Sequence, residues 1–563
     1  MNLVSYQKTL SRVLALGAAG ITVFLVTGSV TDPVNAPKLF LLGGLAGASF
    51  ALIAYLIARK SFRVSGLEIF VSLFLIWGFL ALAISSSPIS QGIYGVYGRN
   101  TGFLAYLFLG VSAIAGTQLM GRANFKFVLV GFLVALGFNL AYGLWVLLFG
   151  DFLGWQNNYG ALLGTFGNPN FVSSFLGMGF SVVLALTIKA NRSSRTALVL
   201  LLPLIGWQLR EADSLQGIVV AGLGTGIVIY FWVRQKTQSD VMSGVFLMMG
   251  AATAGVAVAG ALGSGPLKIA LAQPTVALRE QYWLAAINMS KTHPLFGVGM
   301  DSYGDWYRRA RGSQALITPG ADTVTNVAHN VFLDILAFGG YPLLVVYILI
   351  TGLGAYSIIR TAKRSTNYDP IFVGLTVIWA GYQAQSIISI NQIGLAIWGW
   401  LINGLVIAYR FEATPKVIEI LKPKPKAGFR GSVQQEIFSP YLISSVGAVV
   451  GLLLAVPPLS ADARWRQVQL SGQASELEST LKSTYMNPVN SHKLAEAVRI
   501  LENSKLPEYA IKFARQGVQF NPQNFESWRM LYYATNSSVA EKTEARKQMI
   551  GLDPLNPAWK ELN

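Results

Sequence analysis

The arginines that stand out as able to do chemistry in this 563-residue chain fall in one polar interval, from about Ser264 to Ala328, between two apolar runs. The interval carries Arg279, Arg308, Arg309 and Arg311 and leads directly into His329, one of only three histidines. Arginine's planar fork matches diphosphate oxygens two at a time, so this set could hold a phosphorylated ligand beside a membrane. The same arginines would serve as a solvated basic face, and Arg279 alone could snorkel from an interfacial helix. His329, in Ala328-His329-Asn330, has the side chain best suited to take a proton from a hydroxyl at neutral pH. A histidine at a loop-to-helix junction also commonly caps the helix. Asp334 follows within the first turns of that apolar run, where a carboxylate requires a partner. Its spacing of five residues places it off the face of His329. His293, followed by Pro294, reads as a turn residue, and His492 falls in a soluble tail. No His, Asp and Glu cluster stands at metal-ligand spacing. The absence of cysteine excludes thiol and disulfide chemistry.

The elements that must position these residues are set by composition. At 53% hydrophobic and 12% charged, the chain is a polytopic membrane protein rather than a soluble domain. Apolar runs of spanning length recur about thirteen times. They lie near 13–31, 39–58, 67–85, 101–119, 126–149, 170–188, 196–210, 215–233, 242–263, 330–357, 371–390, 393–409 and 440–458. The seventh and eleventh carry the weakest signal. A formal charge of +17 would fit nucleic-acid binding. The basic residues instead sit in alternate short loops: Arg59/Lys60/Arg63, Arg122/Lys126, Lys189/Arg192/Arg195, Arg234/Lys236 and Arg360/Lys363/Arg364. The positive-inside rule places those loops, with the basic linker 411–439, in the cytoplasm, and no nucleic-acid partner is expected. The loop 264–329 and everything after Pro458 then lie outside. A polar loop of that length is not needed to join two spans and is expected to be functional.

After Ala461 the composition becomes that of a soluble helical segment. Tyr509, Ala510, Phe513, Ala514 and Val518 precede Asn521-Pro522-Gln523-Asn524, and Ala540, Ala545 and Met549 precede Asp553-Pro554-Leu555-Asn556. This period of about 32 residues resembles tetratricopeptide repeats, with residues 470–506 expected as a capping helical pair. Such a segment would serve equally as a platform for a protein partner or as a stabilising cap.

Three motifs resemble the O-antigen ligase and polymerase superfamily of bacterial lipid-linked glycan transferases. Thr292-His293-Pro294-Leu295-Phe296-Gly297-Val298-Gly299, followed by Ala328 to Leu336 and Gly339-Gly340, is similar to the family's principal signature. Gly164 to Phe171, with Asn168 and Asn170, is similar to a second motif, and Tyr97-Gly98-Arg99-Asn100-Thr101-Gly102 to a third. The resemblance runs in order from about Ser85 to Arg410. It implies a cofactor-free, metal-independent glycosyltransferase in the bacterial cytoplasmic membrane. Such an enzyme moves a glycan from an undecaprenyl-diphosphate carrier to a hydroxyl of a lipid, glycan or protein acceptor at the outer face. His329 matches the family's proposed base, Arg279 the arginine that opens the loop, and Arg308 or Arg309 the later arginine. Asn330, Asp334, Asn168, Asn170 and Arg99 are the expected supporting residues. The family commonly has Ser-Arg-Gly where this chain has Ser214-Leu215-Gln216-Gly217, so either Arg210 supplies the missing charge or that contact is lost.

The expected architecture is thus an all-α bundle of about 12–13 spans. Residues 1–84 add helices ahead of a ligase-like domain at 85–410, and the linker 411–439 leads to a last span at 440–458 and an extracytoplasmic helical domain at 459–563. Ligase, polymerase and protein O-oligosaccharyltransferase share this pattern and differ in acceptor. A lipid-linked-oligosaccharide transporter should line its spans with charge, which these spans do not. An assembly scaffold would need the repeats but not His329. The topology is directly testable, because single cysteines enter a cysteine-free background. An impermeant thiol reagent should label Gln314→Cys but not Ala427→Cys in intact spheroplasts, and the reverse pattern would invert the assignment.

Overall fold

The computed structural model describes residues 3–261, 265, 274–412 and 439–561, and these are all-helical. The basic run Lys422 to Lys426 and most of the linker 411–439 lie outside the described residues. The first helices are α1 (Leu3–Val23), α2 (Asn35–Ala58), α3 (Leu67–Ile84), the short α4 (Ile89–Tyr94), α5 (Phe103–Thr117) and α6 (Arg122–Phe149). Then come α7 (Pro169–Thr187), α8 (Arg192–Glu211), α9 (Leu215–Thr237) and α10 (Asp240–Ala261). Nine of the described helices are long and apolar enough to cross a membrane by length and composition. Neither α1, which contains Lys8 and Arg12, nor α8, which contains Arg192, Arg195 and Arg210, is among the nine.

The first helix sits about two turns closer to the N-terminus than its apolar run suggests. Lys38 of α2 explains where it stops. Its fully buried amine donates to the carbonyls of Ile21, Thr22 and Phe24 at 2.9, 2.6 and 3.2 Å. Those are acceptors that the last turn of a helix leaves unpaired, so one cation both caps α1 and satisfies its own buried charge. Residues 24–34 are thereby released to form a loop over the bundle.

Two helices occupy the long polar loop: α11 (Pro274–Thr292) and α12 (Tyr303–Ala310). Three more apolar helices follow, α13 (Val331–Ala362), α14 (Pro370–Ile388) and α15 (Ile393–Glu412). Within α13 the chain leaves helical geometry at Gly339 and Gly340. The Pro294–Gly299 turn docks into that break, with Val298 and Gly299 donating to Ala337 O and Phe338 O at 2.8 and 3.2 Å and Tyr341 donating to Pro294 O at 2.9 Å. Gly297 and Gly340 both have positive φ, 59° and 71°, and a Cβ on either would run into the opposing carbonyl. The spaced glycines of the principal motif are therefore the contact surfaces of one loop-to-helix joint.

The last apolar helix, α16 (Pro440–Ser471), does not end at Pro458, where the composition changes, but continues as one helix to Ser471. Pro457 and Pro458 remove two backbone donors, yet the helix is held on both sides of them. Below, Gly447 and Gly451 face Gly43 and Gly47 of α2 so closely that a Cβ on any of the four would meet opposing backbone. This is the small-residue contact by which helices associate in lipid, where no hydrophobic force drives them together. Above, the Asp462 carboxylate accepts from the amides of Thr31 and Asp32 at 2.8 and 2.7 Å. Beyond α16, α17 (Ala474–Thr480), α18 (Ser491–Asn503), α19 (Pro507–Phe520), α20 (Phe525–Tyr533) and α21 (Val539–Leu552) close over a core of Trp465, Leu494, Phe513 and Leu531. Substituting Gly451→Ala should destabilise the protein by about 1–3 kcal/mol through overpacking. Gly226→Ala, where an added methyl meets open space, should not. Thermal unfolding in detergent would show this, and equal effects of the two changes would refute the α2–α16 contact.

Candidate functional site

The histidine is displayed by the residues on either side of it. Asn330 caps α13, its side-chain oxygen accepting from the amides of Phe332 and Leu333 at 3.0 and 3.2 Å. Asp334 is fully buried and accepts from the Ala328 amide at 2.7 Å. With both flanking residues fixed to the start of α13, His329 takes a left-handed backbone, φ 55°, which is uncommon outside glycine and asparagine. Asp334 thus holds the backbone before the histidine rather than the imidazole itself. The His329 ring lies 5.6 Å from that of Tyr282 on α11, one turn from Arg279.

His329 is half-buried in the wall of a cavity of about 1130 Å³. Pockets for ordinary small molecules span about 300–1,000 Å³, so this one has room for an extended substrate. Asn168 and Asn170 line it too, at the cap of α7. Asn168 accepts from the Asn170 amide and donates to Tyr159 Oη at 3.0 Å, while Asn170 accepts from Ser214 Oγ at 2.8 Å. Gly98 of the third motif also faces the cavity. That motif is shaped by Asp301, a fully buried carboxylate that accepts from the Val96 amide at 2.8 Å and lies 3.4 Å from Thr101 Oγ1. Asp301 and Asn100 also have positive φ.

Electrostatically the centre is positive. Burial first, then the charges of Arg279 and of Arg99, push the His329 imidazole down to about 3, so the ring is neutral through the physiological range. Burial also pulls Arg279 below the ordinary arginine value, though not far enough for a guanidinium to lose its proton. Arg99 Nε is buried without a hydrogen-bond partner, and among the described residues no carboxylate lies within ion-pair distance of Arg99 or Arg279, although the buried carboxyls of Asp301 and Asp334 feel the charge of Arg99. A neutral imidazole thus stands in the wall of a roomy cavity that Asp32, Arg466 and Glu496 also line, with the charges of Arg279 and Arg99 acting on it from outside the lining residues.

The other expected residues lie elsewhere. Arg308 and Arg309 face the C-terminal helices, where Arg308 pairs with Asp553 at 2.9 Å and Arg309 donates to Gln523 Oε1 at 2.6 Å. Arg210 is exposed at the end of α8 and borders a separate cavity of about 430 Å³ with Asp213 and Ser214. Gln216, standing where an arginine was expected, is buried between helices and donates to Ser174 Oγ at 2.7 Å and to Gln385 Oε1 at 3.2 Å. His293 stacks edge-on against Trp306 at the end of α11, as a turn residue would. Asp32 in the loop after α1, Asn35 at the start of α2, and Arg466, Gln469 and Glu496 from the C-terminal part also line the His329 cavity, though no motif singled them out. The polar spacing Arg466 to Gln469, one helical turn, was the available signal for a helix continuing past the proline pair. Among the described residues, no group of three or more His, Asp or Glu side chains could hold a metal.

Residues 198–348 match the family model Wzy_C, O-antigen ligase. The matched stretch runs from α8 into α13 and includes Arg210, Arg279, Arg308, Arg309 and His329, whereas Arg99, Asn168 and Asn170 lie before it. No curated protein matches the chain significantly. The match supports a glycan-transferring, ligase-like function for a multi-pass membrane protein.

With only three histidines in the chain, labelled His329 can be followed by NMR titration. Its ring should stay neutral from about pH 8 down to about pH 5, and Arg279→Gln should move its midpoint back toward about 6.5, because a repelling positive charge is removed. A wild-type midpoint at or above 6.5 would contradict the positive, desolvated site.

Proposed function

We propose that the protein is a glycosyltransferase of the bacterial cytoplasmic membrane, moving a glycan from an undecaprenyl-diphosphate carrier to an acceptor hydroxyl at the outer face. The observation that carries this reading is the neutral imidazole of His329 in the wall of a large cavity, with the charges of Arg279 and Arg99 acting on that ring. In the reaction the acceptor oxygen forms a bond to the anomeric carbon as His329 accepts the hydroxyl proton. The bond from that carbon to the diphosphate oxygen breaks, and its electron pair leaves with the diphosphate. Arg279 and Arg99 stabilise the charge that develops there, which lowers the barrier more than it strengthens ground-state binding.

The two roles are linked by charge. A free site holds the imidazole too weakly basic to be an effective base, because both guanidiniums repel a proton. A bound diphosphate offsets them, raises the histidine's proton affinity and so activates the base only when the donor is present. Arg308, Arg309 and Arg210 have no part in this donor site. The cavity wall contributed by Arg466, Gln469 and Glu496 supports a role for the C-terminal part in accepting the second substrate. Ion pairs between Asp553 and the loop arginines require the C-terminal helices to share a side of the membrane with His329, in keeping with an extracytoplasmic C-terminal part.

Membrane vesicles given an undecaprenyl-diphosphate-linked glycan and candidate acceptors, with products resolved by mass, separate transfer from translocation. A positioned base contributes about 10²–10⁴ in rate, so His329→Ala and His329→Gln should both lose most transfer at normal expression. Arg279→Lys, which replaces a two-point fork by a point charge, should lose roughly tenfold. Wild-type transfer by both histidine variants would remove the general base and favour a transporter or scaffold.

A further inference from the structure

The two repeat turns of the C-terminal part meet successive turns of α12, and they do so with complementary chemistry. In the first turn, Asn521 and Asn524 donate to the two carboxylate oxygens of Asp305 at 3.0 and 2.8 Å. In the second, Asp553 accepts from Arg308 at 2.9 Å and from Arg311 through both carboxylate oxygens at 2.7 and 2.9 Å. Asn521 and Asp553 occupy the same position of the repeat. The amide faces the acid of α12 and the acid faces its bases, so the difference between the two repeats matches the charge each must meet. Arg311 and Asp553 are completely buried, and Trp559 Nε1 donates to Asp553 as well, at 2.9 Å. Arg308 also lies 4.3 Å from the ring centre of Phe525.

The opposite face of α12 reaches the reaction centre. Tyr303 and Tyr307, one turn apart, both face Tyr282 of α11: Tyr303 Oη donates to its backbone oxygen at 2.7 Å, and the Tyr307 ring lies 5.9 Å from its ring. Tyr282 in turn stacks near His329, and α11 carries Arg279. A continuous set of contacts therefore runs from Asp553 through α12 and Tyr282 to the imidazole and the donor arginine. It joins chain segments more than two hundred residues apart.

We propose that Asp553, with Asn521 and Asn524, is a positioning device that clamps α12 and through it sets Tyr282 and Arg279 against His329, so that Arg308 and Arg311 serve the clamp and not the substrate. This rests on the transferase reading of the site. It also assigns the two repeat turns to an internal contact, leaving them unavailable to a protein partner.

Removing one member of a buried ion pair leaves uncompensated charge, whereas replacing all members by apolar residues of similar volume is often tolerated. Asp553→Asn should therefore lower kcat for transfer at least tenfold with the donor KM within about threefold of wild type. The triple variant Arg308→Met, Arg311→Met, Asp553→Leu should return kcat to within a few fold of wild type. Membrane levels and thermal unfolding establish that each variant is folded, and His329→Ala gives the background rate. A wild-type rate in Asp553→Asn would overturn the clamp. So would a triple variant that remains inactive or whose donor KM rises tenfold, since the arginines would then be contacting the donor. Loss of the clamp with His329→Ala inactive leaves the transferase reading standing. An active His329→Ala would instead sink that reading whatever the clamp variants do.

Discussion

Charge withdrawn from water at the membrane surface must be compensated by protein or by ligand, and this constraint organises the molecule above its bilayer-spanning helices. Asp553 compensates Arg308 and Arg311, Asp462 is held by backbone amides and lies 3.4 Å from the buried Lys493 amine, and Lys38 is satisfied by three carbonyls at the end of α1. Arg279 and Arg99 differ from these cations in that no carboxylate of the described residues lies within ion-pair distance of them: Asp301 and Asp334 act on Arg99 only from farther off, and both guanidiniums act on His329. Under the proposed function an anionic substrate completes this arrangement.

The same constraint explains why loops distant in sequence converge. Asp301 and Asp334, both fully buried, hold the backbone of the Arg99 turn and of Ala328, so each carboxylate fixes the segment that presents a functional side chain. Asp462 ties the loop after α1 to α16, and through Tyr97, whose hydroxyl donates to it at 2.9 Å, to the Arg99 turn. Residues near the start of the chain and residues of α16 and α18 thus complete the cavity that His329 lines.

Spanning helices were legible because a run of apolar residues has one solution in a bilayer. His329 and Arg279 stood out as candidates because they belong to a long polar loop and match a resembling motif, and Arg99, Asn168 and Asn170 through motif resemblance alone. The start of α1 was misplaced because its end is set by Lys38, a residue of the next helix. The continuation of α16 past Pro457 was hidden because contacts with α2 and the loop after α1 override a local breaker. Arg308 and Arg309 read as phosphate ligands because nothing local distinguishes an arginine meant for phosphate from one meant for a carboxylate. Only the fold brings Asp553 and Gln523, more than two hundred residues later, against them. The Asn521-Pro522 and Asp553-Pro554 turns carried half of that information in the change from Asn521 to Asp553, whose meaning appears only beside Asp305 and Arg308.

Under the proposed function, donor diphosphate and His329 are coupled through the charge of Arg279 and Arg99. Proton uptake on donor binding measures this coupling, by titration calorimetry of the purified protein with undecaprenyl diphosphate in buffers of different ionisation enthalpy at about pH 5. An anion that raises the proton affinity of a neutral imidazole draws a proton from solution. The wild type should therefore take up more protons per donor bound than His329→Ala, and the difference should shrink in Arg279→Gln, where the histidine starts less suppressed. Equal proton stoichiometry in wild type and His329→Ala would contradict the account.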